Sequence, residues 1–255
     1  MKVDFKQLVN DLKKPDGTEN YKARVRLRNE TARVGGKGHE AERTEFAAAL
    51  AKEVADSQPK ERRRIYDRPF ANTPMRGELL RSLCEIGTAA EIPVLMKAVD
   101  DFEVRDFIRR AIECIPGDEA TAALAQMAVK EEGNEFRVGA INALGKRKTP
   151  AAMDALKTCA ADPDPRIRLA AADALANIGD PSALPVVAQS FDIRRGWAPH
   201  ANAARTQLRL AANVAKSGNK PAADQIYRNI GATQPERFQM KAAETGVQAQ
   251  QPPRR

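Results

Sequence analysis

The sequence predicts an all-α protein, a solenoid of stacked antiparallel helical hairpins. Three observations point there. A segment of about 30 residues recurs four times in the middle of the chain, apolar residues within each copy fall at helical spacing, and aromatic residues make up only 5% of the 255 residues, few for a compact β-sandwich.

Residues 1–70 read as helical but do not match the repeat. Phe5, Leu8, Val9 and Leu12 make a short first helix that ends before Pro15-Asp16-Gly17. Tyr21 to Val34 is a basic amphipathic stretch closed by Gly35-Gly36-Lys37-Gly38. Phe46, Leu50 and Val54 place another helix at about 40–56, followed by Pro59 and the charged run Lys60-Glu61-Arg62-Arg63-Arg64. Terminal repeats are usually atypical, so this part is expected to be a cap of degenerate hairpins.

The repeat array is expected over 71–191. An arginine near the start of each copy falls at Arg76, Arg105, Arg137 and Arg168, spaced by 29, 32 and 31 residues. An apolar residue near the end of the same helix falls at Leu83, Ile112, Leu144 and Leu175 with identical spacings. In the last copy Ile167, Ala170, Ala171, Ala174, Leu175 and Ile178 form one apolar stripe. Asp164 stands in N-cap territory, Pro165 suits the first turn and Gly179 stops the helix. Asp180-Pro181 starts the second helix, with Leu184, Val187, Ala188 and Phe191 as its stripe. No single hairpin hides its own apolar face, so neighbours must stack. Residues 192–248 are expected to be variant hairpins, with helices near 199–216, 221–231 and 234–246, and 249–255 a disordered tail.

Residues Arg168, Ala171, Ala174, Leu175, Ile178, Gly179, Asp180, Pro181, Ala183, Leu184 and Pro185 resemble HEAT-like repeats, especially the class called phycobilisome-lyase-type. The resemblance covers about 72–191. The third copy departs from it with Arg147-Lys148-Thr149 at the break, and the second has Pro116-Gly117 there. The resemblance implies a right-handed stack whose Arg-bearing helices line a concave face. It also implies that Asp and Arg residues hydrogen-bond between adjacent turns.

Charge and composition limit the function. Net charge is +8, distributed as +5 over 1–70, −4 over 71–191 and +7 over 192–255. Basic ends favour an acidic partner, protein or nucleic acid, or serve solubility alone. Cys84, Cys114 and Cys159 form no CxxC, so reduced, buried thiols and a cytoplasmic location are expected. With two histidines and no GxSxG or GxxxxGK[ST], no catalytic residue, metal or cofactor is expected.

Four groups of side chains are candidate sites. Arg76, Arg105, Arg137 and Arg168, with Asp101 four residues before Arg105 and Asp164 four before Arg168, are read as a structural ladder. A grip on carboxylates or phosphates is their alternative role. Arg81, Arg110, Asn142 and Asp173, two residues before each apolar anchor, form a surface row suited to a partner. Arg194, Arg195, Trp197 and His200 make a connector rich in hot-spot residue types, or a plug at the joint between regular and variant hairpins. Arg24, Arg26, Arg28 and Arg33, with Arg62, Arg63 and Arg64, add a basic N-terminal set. The resulting expectation is a non-catalytic scaffold that docks a protein, an acidic one in one version, on its concave face. Nucleic-acid binding through the basic ends is the alternative, and the resemblance adds a lyase subunit as a third reading. Neither membrane insertion nor a small-molecule substrate is expected.

Overall fold

The computed structural model describes residues 3–15, 17–57, 73–130, 133–190, 200–233 and 244–247. Among the described residues every regular element is helical and no strand occurs. The chain divides into two compact units, Met1–Ala123 and Leu124–Arg255. The boundaries expected near 70 and 191 lie outside the described residues.

The first unit opens with α1 (Phe5–Leu12), α2 (Thr18–Gly35) and α3 (Glu40–Asp56). Asp4 caps α1 by accepting from the Gln7 amide, and Asn20 donates to the free carbonyls of Leu12 and Lys14 at its far end. Phe5 meets Phe46 edge-on at 6.0 Å. Then come α4 (Thr73–Ile86), a 3₁₀ turn leading into α5 (Ile92–Met96), and α6 (Arg105–Cys114). The helices α2, α4 and α6 stack in turn, while α3 packs on α4 and α5. Leu79, Leu80, Leu83, Ile108 and Ile112 are fully buried in this stack, each stabilising by roughly 1.5–3 kcal/mol. The following helix, α7 (Asp118–Val129), carries the division between the units.

The second unit holds α8 (Asn134–Arg147), α9 (Met153–Ala160), α10 (Pro165–Ile178), α11 (Leu184–Ser190), α12 (His200–Lys216) and α13 (Lys220–Thr233). Here α8, α10 and α12 stack, α9 and α11 pack on α10, and α13 packs on α12. Small residues set the spacing: a Cβ on Gly145 of α8 would stand 2.8 Å from Ala174 Cα of α10. Asp164 caps α10 through the Arg166 amide, as its position predicts. Gly179 ends α10 at φ +79°, and any Cβ there would strike Asn213 of α12 at 2.7 Å. The chain goes on through a 3₁₀ turn, Pro181–Ala183, capped by Asp180.

The departing third copy shows what its missing glycine costs. Lys148 takes the left-handed cap position after α8, at φ +53°, the only non-glycine with positive φ among the described residues. A side chain in that region costs about 1–2 kcal/mol, and a glycine loses part of that gain through its freer unfolded chain. Lys148→Gly is therefore expected to stabilise the chain by about 0.5–1 kcal/mol, read as a higher urea midpoint at unchanged slope.

A candidate interaction surface

Three of the four repeat arginines, Arg76, Arg137 and Arg168, fall into the core, and their chemistry is used there. Arg76 is 1% exposed. Its Nε donates to the Val54 carbonyl near the end of α3 (3.1 Å), and its Nη1 donates to Asp101 Oδ2 (2.6 Å). Arg137 repeats the arrangement: Nε to the Ala128 carbonyl near the end of α7 (2.9 Å), Nη2 to Asp162 Oδ2 (2.6 Å). Each guanidinium thus joins the carbonyl end of one helix, where partial negative charge collects, to a carboxylate of the next turn. Each Asp lies 25 residues after its Arg and also accepts, through Oδ1, the amide two residues on, that of Glu103 or Asp164. A second rung runs beside each: Thr73 donates to Glu103, and Asn134 to Asp164.

Asp101 bonds Arg76 of the preceding repeat, not Arg105. Arg105 instead lies over the Phe102 ring, 4.6 Å from its centre. Asp164 takes Arg166 and Asn134, while Arg168 donates to the carbonyls of Asp162 and Pro163. Asp164 caps its own helix through the Arg166 amide and Asp101 accepts the Glu103 amide in the turn before α6, while the guanidinium of Arg76 or Arg137 extends across to the neighbouring turn.

Arg81, Arg110 and Asn142 are exposed. Asp173 is half-buried, held by Thr206 Oγ1 (2.6 Å) and by Arg209, both on α12. In the first unit the row becomes a patch. The Phe107 ring lies over Gly77, 3.5 Å from where a Cβ would stand, and Cys84 joins Cys114, so α4 and α6 run side by side between these contacts. Arg81 lies between Gly77 and Cys84 at helical spacing, and Arg110 between Phe107 and Cys114. Both arginines therefore share a face with Phe107, which is 39% exposed. Arg81 leans on Glu78 at 3.2 Å, an exposed pair worth only about 0–1 kcal/mol and easily given up. Sequence reasoning passed over Phe107 and Phe102, although an aromatic on an otherwise polar helix face is a visible signal.

Cys84 and Cys114 form a disulfide, which overturns the expectation of reduced, buried thiols for this pair. Their template positions differ by one, yet adjacent helices bring their Cα atoms to 5.1 Å. Cys114 is exposed; Cys159 alone is a buried free thiol, and burial raises its pKa. The cytoplasmic expectation loses the support it drew from these two cysteines.

The basic N-terminal set is partly spent in ion pairs. Arg26 bonds Asp11 (2.7 Å) and Arg33 bonds Glu30 and Glu42 (2.7 and 2.6 Å); Arg24 is half-buried and Arg28 exposed. Arg62, Arg63 and Arg64 lie outside the described residues, as do Arg194, Arg195 and Trp197; His200 begins α12, its side chain outside them too. Hydrogen bonds from Lys14, Arg26 and Gln7 hold the Asp11 carboxyl at about 2, and bonds from Arg33 and His39 hold Glu42 at about 2. Both lie below the roughly 4 of an unfolded chain, so their contribution is complete above about pH 4.5 and is lost as pH falls toward 2. The thermal midpoint is expected to be flat above pH 5 and to fall below 4.5, with a shallower fall in Asp11→Asn.

Among the described residues no three His, Cys, Asp or Glu side chains are placed to hold a metal ion, and no helix is long and apolar enough to cross a membrane.

Residues 121–205 match the family model described as HEAT repeats, from within α7 to the start of α12. The chain thus carries HEAT-like repeats over these residues, and the described residues of each unit are stacked helices. No curated protein matches the sequence. Among solved structures, it is similar to the complex of CpcE and CpcF of phycocyanin lyase from Nostoc sp. PCC7120 (16% identity, 98% of this chain and 96% of that one, TM-score 0.41). It is also similar to human deoxyhypusine hydroxylase in complex with glycerol (16%, 95% and 94%, TM-score 0.37). A third likeness is to a designed armadillo repeat protein in complex with the peptide (KR)4 (16%, 98% and 100%, TM-score 0.35).

Proposed function

We propose that this chain is a non-catalytic interaction scaffold that docks an acidic partner protein on the face of α4 and α6 carrying Arg81, Arg110 and Phe107. The observation behind the reading is a division among the arginines. Arg76, Arg137 and Arg168 make their hydrogen bonds inside the stack, while Arg81, which reaches Glu78, and Arg110 are exposed beside an exposed aromatic ring. Arginine and aromatic side chains dominate the energy of protein interfaces, and a planar guanidinium fork suits a carboxylate. Asn142, and with it the connector residues Arg194, Arg195, Trp197 and His200, stay proposed partner contacts of the second unit by itself.

The test is capture of partners on tagged protein, with and without nuclease, using Arg81→Glu/Arg110→Glu as control. The expected result is one stoichiometric protein that survives nuclease and is lost with the double variant. Capture that disappears with nuclease would move the function to nucleic acid and the basic ends.

A further inference from the structure

The disulfide stands one helical turn from the two arginines of the proposed surface. Cys84 follows Arg81 by three residues and Cys114 follows Arg110 by four, and Cys84 Sγ lies 4.0 Å from the Arg110 carbonyl oxygen. The two ends of α6 are fastened differently. At its start, the buried Arg76–Asp101 pair and the Thr73–Glu103 bond tie the preceding turn to α4. At its end, the ties to α4 are the covalent link through Cys114, the last residue of a ten-residue helix, and the apolar packing of Ile112 and Ile115, the latter against Gly87 just beyond α4. That sulfur is the accessible one: Cys114 is exposed and Cys84 half-buried.

We propose that the Cys84–Cys114 disulfide is a redox latch on the docking surface: oxidised, it fixes Arg81 and Arg110 as a pair, and reduced, it frees the end of α6 and weakens docking. The inference rests on the docking reading above. The reductant it requires is a dithiol. A dithiol thiolate attacks Cys114 Sγ, the Cys84 sulfur leaves as a thiolate and takes up a proton, and the second dithiol sulfur displaces Cys114 from the mixed disulfide. The protein gains two electrons and two protons, and the dithiol closes to a cyclic disulfide. Reduction leaves the Arg76–Asp101 end in place, so α6 loosens at its tip without leaving the stack. A surface that must be ordered again on binding loses affinity.

The experiment is fluorescence anisotropy of a labelled oligoglutamate peptide with the full chain, oxidised and after dithiothreitol, thiol counts under denaturing conditions confirming each state. Hydrogen exchange over Arg105–Cys114 is read in parallel. Affinity is expected to fall about tenfold on reduction, within the 5–150-fold span of couplings between sites, and to return on reoxidation. Exchange near Cys114 is expected to quicken while that near Arg105 changes little. Cys84→Ser/Cys114→Ser is expected to bind like the reduced chain and to ignore dithiothreitol. Equal affinity in both states would overturn the latch and leave the docking surface standing. No binding in either state would overturn the docking surface, and the latch with it.

Discussion

Replacing Asp101 with alanine is expected to destabilise the first unit by about 3–5 kcal/mol, the usual cost of stripping one partner from a buried ion pair. Arg76 is 1% exposed, so the substitution leaves a charge in the core that, among the described residues, keeps its bond to the Val54 carbonyl. The loss reflects that stranded charge more than the worth of the pair. Arg76→Met combined with Asp101→Leu is therefore expected to recover much of it, because apolar residues of similar volume often replace buried pairs without loss. Urea unfolding of the two variants measures the difference. Equal losses would mean that the pair stabilises by itself rather than by mutual neutralisation. Asp162→Ala, where Arg137 and Asp162 are slightly more open to solvent, is expected to cost less.

Removing the Cys84–Cys114 link is the second large change. The cysteines are 30 residues apart in sequence, and closing a loop of that size is worth about 3–4 kcal/mol in the chain-entropy account. Cys84→Ser/Cys114→Ser is expected to lower the first unit's stability by about that much, and the wild type in dithiothreitol is expected to match it. The melting midpoint, measured with and without reductant, decides. A midpoint insensitive to reductant would mean that the stack holds this pair of helices without covalent help.

Much of the fold was legible because its signals are local. The matching spacings of Arg76 to Arg168 and of Leu83 to Leu175 mark the stacked helices, and Gly179, Asp164 and Asp180 mark where they stop and start. What was not legible depends on which turn faces which. Asp101 and Asp162 each stand 25 residues after an arginine, a separation meaningful only once adjacent hairpins are stacked. The disulfide escaped for a similar reason: neighbouring helices need not meet at equal template positions, so a shift of one residue did not separate the sulfurs. Asp173 belongs to the row by sequence, yet α12 claims it through Thr206 and Arg209, because the variant end supplies a donor that a regular repeat lacks. The candidate surface was half-read, its arginines from register and its aromatic ring from the structure.

The measurement that bears most directly on the division between buried and exposed arginines is the affinity of the oxidised chain for an acidic peptide, compared with Arg81→Glu/Arg110→Glu. The substitutions lie on an exposed face, so the unfolding free energy should stay within about 0.5 kcal/mol of the wild type. The account predicts that the wild type binds, and that the double variant, matched in stability, loses at least about tenfold in affinity, each arginine being a contact worth 1 kcal/mol or more. Binding unchanged by the reversal of both charges would contradict it.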